Sequence, residues 1–328
     1  MGQKIITIVV PTYNEEENIP HVYKRISTLF EHALDRYQME LLFIDNCSTD
    51  NSRPIILKLA NSDTRVKAIF NARNFGYNRS TFYGLTQAQG DCAILMNADM
   101  QDPPEVIPDF VRQWELGNKI VAGIKNRSRE NPIMYSIRQS YYFFVKKISE
   151  IDHIDQFDGF GLYDRTFVDV LRGLDDPLPY LRGIVAELGF QRTEVLYTQD
   201  KRQHGKSKFS FFKLYDLAML GITSYSKIVM RLATLIGSGV SLVSLLVAIF
   251  TFLYKITHWN SYPIGTAAIS IGVFFFGAIQ LFFVGLLGEY ILNINTRIIH
   301  RPLVIEEQRI NFEAVTDAER EEDCHVTE

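Results

Sequence analysis

Apolar side chains run through residues 5–10 (IITIVV, with one threonine) and stop at Pro11. A β-branched run of this kind predicts a strand buried on both faces. Residues 18–34 then repeat apolar positions at helical spacing, and residues 40–44 form a second apolar run ending at Asp45. The alternation continues with a helix at 51–61, a strand at 66–70 ending at Asn71, and a helix at 79–88. A strand at 93–96 runs into NADMQD, and a helix at 108–117 and a strand at 119–124 follow. Strands alternating with helices predict right-handed βαβ units, hence an α/β fold with a mostly parallel sheet. Such sheets take ligands at the carboxyl ends of their strands. Polar clusters at 13–17, 45–50, 73–76 and 97–102 fall at four such ends and outline a single site.

The pattern changes in the last third. Residues 232–254 and 262–288 contain no charged side chain. Each is longer than the roughly 20 residues that cross a bilayer core, so two transmembrane helices are expected. Trp259, in the loop at 255–261, suits an interfacial anchor. Lys227 and Arg231 precede the first span and Arg297, Arg301 and Arg309 follow the second, whereas the loop carries only Lys255. The positive-inside rule therefore puts both termini in the cytoplasm. Residues 209–226 are aromatic on one side and carry Lys213 and Asp216, a pattern that fits either an interfacial helix or an amphipathic core helix. The expected layout is a cytoplasmic catalytic domain at 1–207, a juxtamembrane segment at 208–230, the two spans within 231–294, and a cytoplasmic tail at 295–328. The tail from Glu306 onward is charged and without periodicity, and is expected to be mobile.

Composition narrows the function. The net charge of −4 gives no global basic field for nucleic acid. Basic residues gather locally instead, at Lys125, Arg127 and Arg129 and between Lys201 and Lys213. Cys47, Cys92 and Cys324 lie far apart without metal-ligand spacing and read as reduced thiols. The N-terminal apolar run is too short for a signal peptide.

The segment NADMQDPPE follows a strand end. If it stays extended, Asn97, Asp99 and Gln101 share a face, since alternate residues of an extended chain point the same way. Oxygen donors of this kind suit Mg²⁺ or Mn²⁺ held together with substrate phosphates. The alternative is a simple turn or helix cap. Asp45 likewise has a second reading as a helix cap, although Asp50 is better placed for that.

Taken in order, VVPTYNEEENI (9–19), FIDNCSTDNS (43–52), ARNFGYNRSTFYGL (72–85), AILMNADMQDPPEVI (93–107), GFGLYDR (159–165), YLRGIVAELGF (180–190), RQHGKSKFSFFKL (202–214), GITSYS (221–226) and LLGEYI (286–291) resemble the inverting polyprenyl-phosphate glycosyltransferases of the GT-A fold. This group includes bactoprenol glucosyltransferases and dolichol-phosphate mannose synthases. The resemblance spans roughly residues 5–302. It implies transfer of a hexose, from UDP-glucose or another UDP-hexose, to an undecaprenyl-type phosphate at the cytoplasmic membrane face. GDP-mannose is the alternative donor, and a non-catalytic nucleotide-sugar scaffold the alternative role. Self-association is compatible with the 209–226 segment.

The resemblance assigns roles by residue. Pro11, Tyr13 and Glu15 line a nucleoside pocket and Asp45 binds base or ribose. Arg73, Asn74 and Gly76 flank the diphosphate, and Arg202 and Lys208 close over the donor phosphates. Asp99 and Gln101, with Asn97, hold the metal, and Arg127 meets the lipid phosphate. Arg127 and Arg129 also fit plain surface charges, His204 a loop residue, and Glu289 a snorkelling side chain.

Two positions depart from the family pattern. Asn97 stands where Asp is usual, which removes one negative charge from the metal site. Gly159 stands where many relatives have Asp, so the candidate base shifts to Asp158. A phosphate monoester nucleophile tolerates this, because its second pKa near 6 leaves it largely anionic at neutral pH.

Overall fold

The computed structural model describes residues 2–127, 154, 156–199 and 302–312, with isolated positions between 269 and 298. The chain divides into two compact units, one made of residues 1–131, 154–208 and 300–328, the other of residues 132–153 and 209–299. The first unit carries all the strands described here.

Its order is β1 (Ile5–Thr12), α1 (Ile19–His32), β2 (Gln38–Asp45), α2 (Ser52–Ser62), β3 (Val66–Asn71), α3 (Tyr77–Thr86) and β4 (Cys92–Leu95). After a 3₁₀ turn at Pro104–Val106 come α4 (Ile107–Glu115), β5 (Ile120–Arg127), β6 (Gly161–Asp164), α5 (Arg165–Arg172), α6 (Leu181–Glu187) and β7 (Arg192–Thr198). β8 (Glu306–Ile310) completes an eight-stranded sheet of order β7-β5-β6-β4-β1-β2-β3-β8. The predicted strands and helices up to β5 appear with their ends shifted by three residues at most, as element boundaries do.

The core follows from the two-residue period of the strands. Ile6, Ile8 and Val10 of β1 join Met39, Leu41 and Phe43 of β2 on one face, beneath Ile19, Val22 and Ile26 of α1, Ile56 of α2 and Phe110 of α4. Val9, Leu42 and Ile44 point the other way, against Phe82 and Leu85 of α3, Phe167 and Leu171 of α5 and Ile184 of α6. The result is a three-layer α/β/α unit. Asp164 ties its far end together: it accepts from Trp114 Nε1 at 2.7 Å, from Lys119 Nζ at 3.0 Å and from the Thr166 amide at 3.0 Å.

Pairing direction decides what meets at one edge. β4, β1, β2 and β3 are mutually parallel, so Asn97, Tyr13, Asp45 and Asn71 emerge on the same side. β6 runs antiparallel to β4 and to β5, which brings the start of β6 and the end of β5 to that side as well. β8 runs antiparallel to β3, so Glu306 lies opposite Asn71. The tail was expected to be mobile from Glu306 onward, and here the structure differs. The Ala72 amide donates to Ile305 O at 2.9 Å, and Asn311 Nδ2 donates to Ala60 O and Val66 O.

β5 and β6 approach closely at Gly161, where an added Cβ would lie 2.5 Å from Val121 O. A backbone atom cannot yield as a flexible side chain does. Gly161→Ala is expected to destabilise the unit by about 2–3 kcal/mol, measured by denaturant unfolding, while Gly189→Ala, with nothing within 4 Å, carries only the strain of its left-handed φ of 66°, about 1–2 kcal/mol.

Among the described residues no helix is long and apolar enough to cross a membrane. The segments at 209–226 and 232–254, together with Arg129, Arg202, His204, Lys208, Glu289 and the Arg127 side chain, lie outside the described residues. So does nearly all of 262–288.

Candidate active site

The loops after β1 and β2 are joined to each other by hydrogen bonds. The Asn14 amide donates to Ser48 Oγ at 2.8 Å, Glu15 to Ser52 Oγ at 2.9 Å and Glu16 to Asp50 Oδ2 at 3.2 Å. In return Thr49 N donates to Asn14 Oδ1 at 2.7 Å and Asn51 N to Glu16 Oε2 at 2.9 Å. Glu15 takes a hydrogen bond from Asn18 Nδ2 at 2.7 Å. Pro11 is the penultimate β1 residue and is half-buried, as is Tyr13 just beyond the strand. Asn14, Cys47 and Met100 adopt left-handed backbone with φ of 54°, 62° and 60°. Non-glycine residues pay for that conformation, and such residues gather where a site demands a set geometry.

Asp45, at the end of β2, is fully buried. Its Oδ2 accepts from Arg53 Nε at 2.7 Å and from Ser48 N at 3.1 Å. It is not a helix cap; Asp50 accepts from Ser52 N at the start of α2. Asp45 Oδ1 is buried without a hydrogen-bond partner, and so is Asn71 Oδ1 at the end of β3. Buried acceptors are almost always satisfied, so a bare one at each of two neighbouring strand ends is a feature the chain's own donors leave open.

The loop after β3 is shaped by asparagines. Asn46 Nδ2 donates to Asn74 Oδ1 at 3.0 Å, the Phe75 amide to Asn46 Oδ1 at 2.9 Å, and the Gly76 amide to Asn74 Oδ1 at 2.9 Å. Gly76 has φ 90°, a conformation for which glycine is suited. Arg73 is exposed, its guanidinium 4.2 Å from the Phe75 ring centroid.

After β4 the chain turns rather than extends. Met100 is left-handed, and the Gln101 amide donates to Asp99 Oδ1 at 3.2 Å. The shared extended face expected for Asn97, Asp99 and Gln101 is therefore absent, and Asn97 points to different neighbours. Its Oδ1 accepts from Tyr77 OH at 2.8 Å and its Nδ2 donates to Asp102 Oδ2 at 2.9 Å. Asp102 also accepts from Tyr197 OH at 2.9 Å. A divalent ion shared with a donor diphosphate fits this segment: a carboxylate at Asp99 and amide oxygens at Asn97 and Gln101 are hard donors, and phosphate and water complete the set. A cage built by the protein alone does not fit, since among the described residues no three His, Cys, Asp or Glu side chains group for a metal.

Opposite this turn, Lys125 at the end of β5 pairs with Asp158 at 2.6 Å, both largely buried. Asp158 Oδ1 also accepts from the Phe160 amide at 3.3 Å. Desolvation, then the charge of Asp158, raises the Asp102 carboxyl to about 7. An unfolded Asp titrates near 4. The folded value is the higher one, so Asp102 contributes stability fully below about pH 4. That contribution is lost as pH rises through about 7. The stability difference between wild type and Asp102→Asn should therefore fall between pH 4 and 7, read by urea unfolding at several pH values. Parallel profiles would count against a neutral buried carboxyl.

The sequence profile described as Glycosyl transferase family 2 matches residues 7–171. The chain belongs to glycosyl transferase family 2. The family 2 region covers β1 through α5, and the α/β unit is GT-A-like, with a mostly parallel sheet. Over 302 residues the chain is 35% identical to the bactoprenol glucosyl transferase of Shigella phage SfV, covering 92% of this chain and 97% of that protein. It is 31% identical over 301 residues to an uncharacterized glycosyltransferase of Synechocystis sp., covering 92% and 94%. Among solved structures, the glucosyl-3-phosphoglycerate synthase of Mycobacterium tuberculosis in complex with UDP aligns with a TM-score of 0.46 at 19% identity, covering 67% of this chain and 78% of that one. That likeness is too remote to carry an argument about ligands. The protein is thus a family 2 glycosyltransferase.

Sequence reasoning placed Asp45, Asn74, Asp99 and Asp158 at this edge. It missed Arg53 and Tyr197, and gave no role to Asn46, Asn71, Tyr77, Asp102 or Lys125. Asn46 stood inside the 45–50 cluster, Asn71 at a strand end, Tyr77 in the segment after it, Asp102 inside NADMQD and Lys125 inside a basic cluster, so these had a signal. Arg53 and Tyr197 hold their places through contacts distant in sequence.

Proposed function

We propose that the protein transfers a hexose, glucose from UDP-glucose foremost, to an undecaprenyl-type phosphate at the cytoplasmic face of a membrane, with inversion. The observation that carries this is the meeting on one sheet edge of two bare buried acceptors (Asp45, Asn71), the Asp99 turn, and the basic end of β5. The names of its bactoprenol glucosyl transferase relatives support the acceptor. The charge-free stretches at 232–254 and 262–288 support membrane anchoring, and the flanking cations support cytoplasmic termini.

In this reading Asp45, with Pro11, Tyr13 and Glu15 around it, receives the nucleoside. Arg73, Asn74 and Gly76 line the diphosphate side, and Arg202 and Lys208 supply further positive charge to it. Asp99, Gln101 and Asn97 would hold Mg²⁺ or Mn²⁺, which when bound neutralises charge on the leaving diphosphate. A lipid phosphate oxygen attacks the anomeric carbon as the bond to the nucleoside diphosphate breaks, and nucleoside diphosphate leaves. Arg127 meets the lipid phosphate. Asp158, paired with Lys125, acts as the charge partner of that lysine, because an anionic phosphate needs little help from a base. Positioning and leaving-group stabilisation then carry the rate.

Asn97 raised the alternative of a non-catalytic scaffold. Its amide donates to Asp102 Oδ2 at 2.9 Å, so the asparagine has a structural use of its own. The donor is tested by calorimetric titration of UDP, GDP, UDP-glucose and GDP-mannose with and without Mn²⁺. Tighter binding of the uridine nucleotides supports this reading. Preference for GDP-mannose redirects it to mannosyl transfer, and no binding of any nucleotide removes it.

A further inference from the structure

Arg53 touches three strands at the nucleoside end of the site. Its Nε donates to Asp45 Oδ2 on β2 at 2.7 Å, its Nη2 to Asn71 O on β3 at 2.6 Å, and its Nη1 to Glu307 on β8 at 2.7 Å. The guanidinium carbon sits 5.4 Å from the Phe70 ring centroid. The Asp45 side chain is wholly buried, the Arg53 side chain 23% exposed and the Glu307 side chain 57% exposed. A buried carboxylate needs a close counter-charge, and the planar guanidinium fork supplies one in a fixed orientation. With Oδ2 held by Arg53 and Ser48, the rotation of the Asp45 carboxyl is set, and its second oxygen is the bare one.

β8 is itself clamped. Tyr83 OH donates to Glu306 at 2.9 Å, and Arg309 Nη2 donates to Gln87 Oε1 at 2.8 Å and to Glu306 at 2.7 Å. Glu307 therefore reaches Arg53 from a strand fixed against β3 and α3.

We propose that Arg53 and Glu307 are a positioning pair for Asp45, so that the C-terminal strand completes the nucleoside end of the donor site. This rests on the donor-site reading above. Arg53 and Glu307 touch no reacting atom; their effect runs through the orientation of Asp45.

The test is steady-state transfer and UDP binding for wild type, Glu307→Gln and Arg53→Lys in the full-length protein. Lysine keeps the charge and loses the fork. Arg53→Lys is expected to raise donor KM and weaken UDP binding roughly 10-fold or more. Glu307→Gln, at a half-exposed side chain that folding tolerates, is expected to raise donor KM about two- to fivefold. In both, kcat stays within about twofold, and binding of pyrophosphate with Mn²⁺ is unchanged, because Asp45 serves the nucleoside alone. A merely structural role would lower kcat and both affinities together, and that result overturns the proposal. Unchanged donor KM in both variants also overturns it while leaving the donor-site reading intact. A wild-type protein that binds no nucleotide removes that reading, and this proposal with it.

Discussion

Replacing Asp99 by Asn is expected to lower sugar transfer about 10²- to 10³-fold while leaving stability nearly unchanged. Asp99 sits in the turn after β4, where its Oδ1 takes the Gln101 amide at 3.2 Å. An asparagine of the same shape still accepts that hydrogen bond, so the turn survives. What disappears is the negative charge. With Asn97 already neutral, Asp99 is the carboxylate among the three residues assigned to the ion, and Asn97, Gln101 and an Asn at 99 would offer amides alone. A divalent ion held by amides and phosphate binds weakly, and the leaving diphosphate loses its neutralising partner. The measurement is the initial rate against Mn²⁺ concentration for both proteins. A variant whose rate stays within about threefold of wild type at saturating donor would place the ion elsewhere or dispense with it.

The second large effect is on folding. Lys125→Met removes the partner of Asp158, which it meets at 2.6 Å with both side chains more than four-fifths buried. Asp158 is then a largely buried charge without its lysine. Breaking a buried pair from one side costs about 3–5 kcal/mol, because the remaining charge is uncompensated. Removing both charges, in Lys125→Met with Asp158→Asn, should recover much of that loss. The coupling read from the double-mutant cycle should reach about 1–3 kcal/mol. Additive losses would mean that the two side chains do not depend on each other. Urea unfolding of all four proteins supplies the comparison.

Much of the sheet was legible because β1 to β5 are apolar runs closed by polar residues, and buried parallel strands have little choice but to look that way. The strand ends, and so Asp45 and Asp99, followed directly. β8 hid for a physical reason. Its sequence, EEQRI, is charged and does not alternate, as suits an edge strand whose outer side faces no partner in the sheet. It forms because β3 offers an open edge, and Tyr83 of α3 and Gln87 just beyond that helix receive its charges. A turn was one of the two readings open for NADMQD, but nothing in the segment marks Met100 for left-handed backbone. The pairs that finish the site are separated by 95 positions for Asp102 and Tyr197 and by 254 for Arg53 and Glu307. Spacing in a sequence cannot announce such pairs; only the order of the strands brings them together. That order is also why Asn97 was read as a metal ligand alone. In the structure it bridges Tyr77 and Asp102, a structural use that its place in the sequence does not announce.

The central claim is glycosyl transfer to a lipid phosphate, and one measurement meets it directly. Full-length protein in liposomes containing undecaprenyl phosphate is given radiolabelled UDP-glucose with Mn²⁺, and the organic phase is counted. The account predicts label in the lipid fraction that depends on the phosphate lipid and is lost with chelator or with Asp99→Asn. Label that stays wholly in the aqueous phase, from UDP-glucose and from every other UDP- and GDP-sugar offered, while nucleotide binding persists, would contradict it.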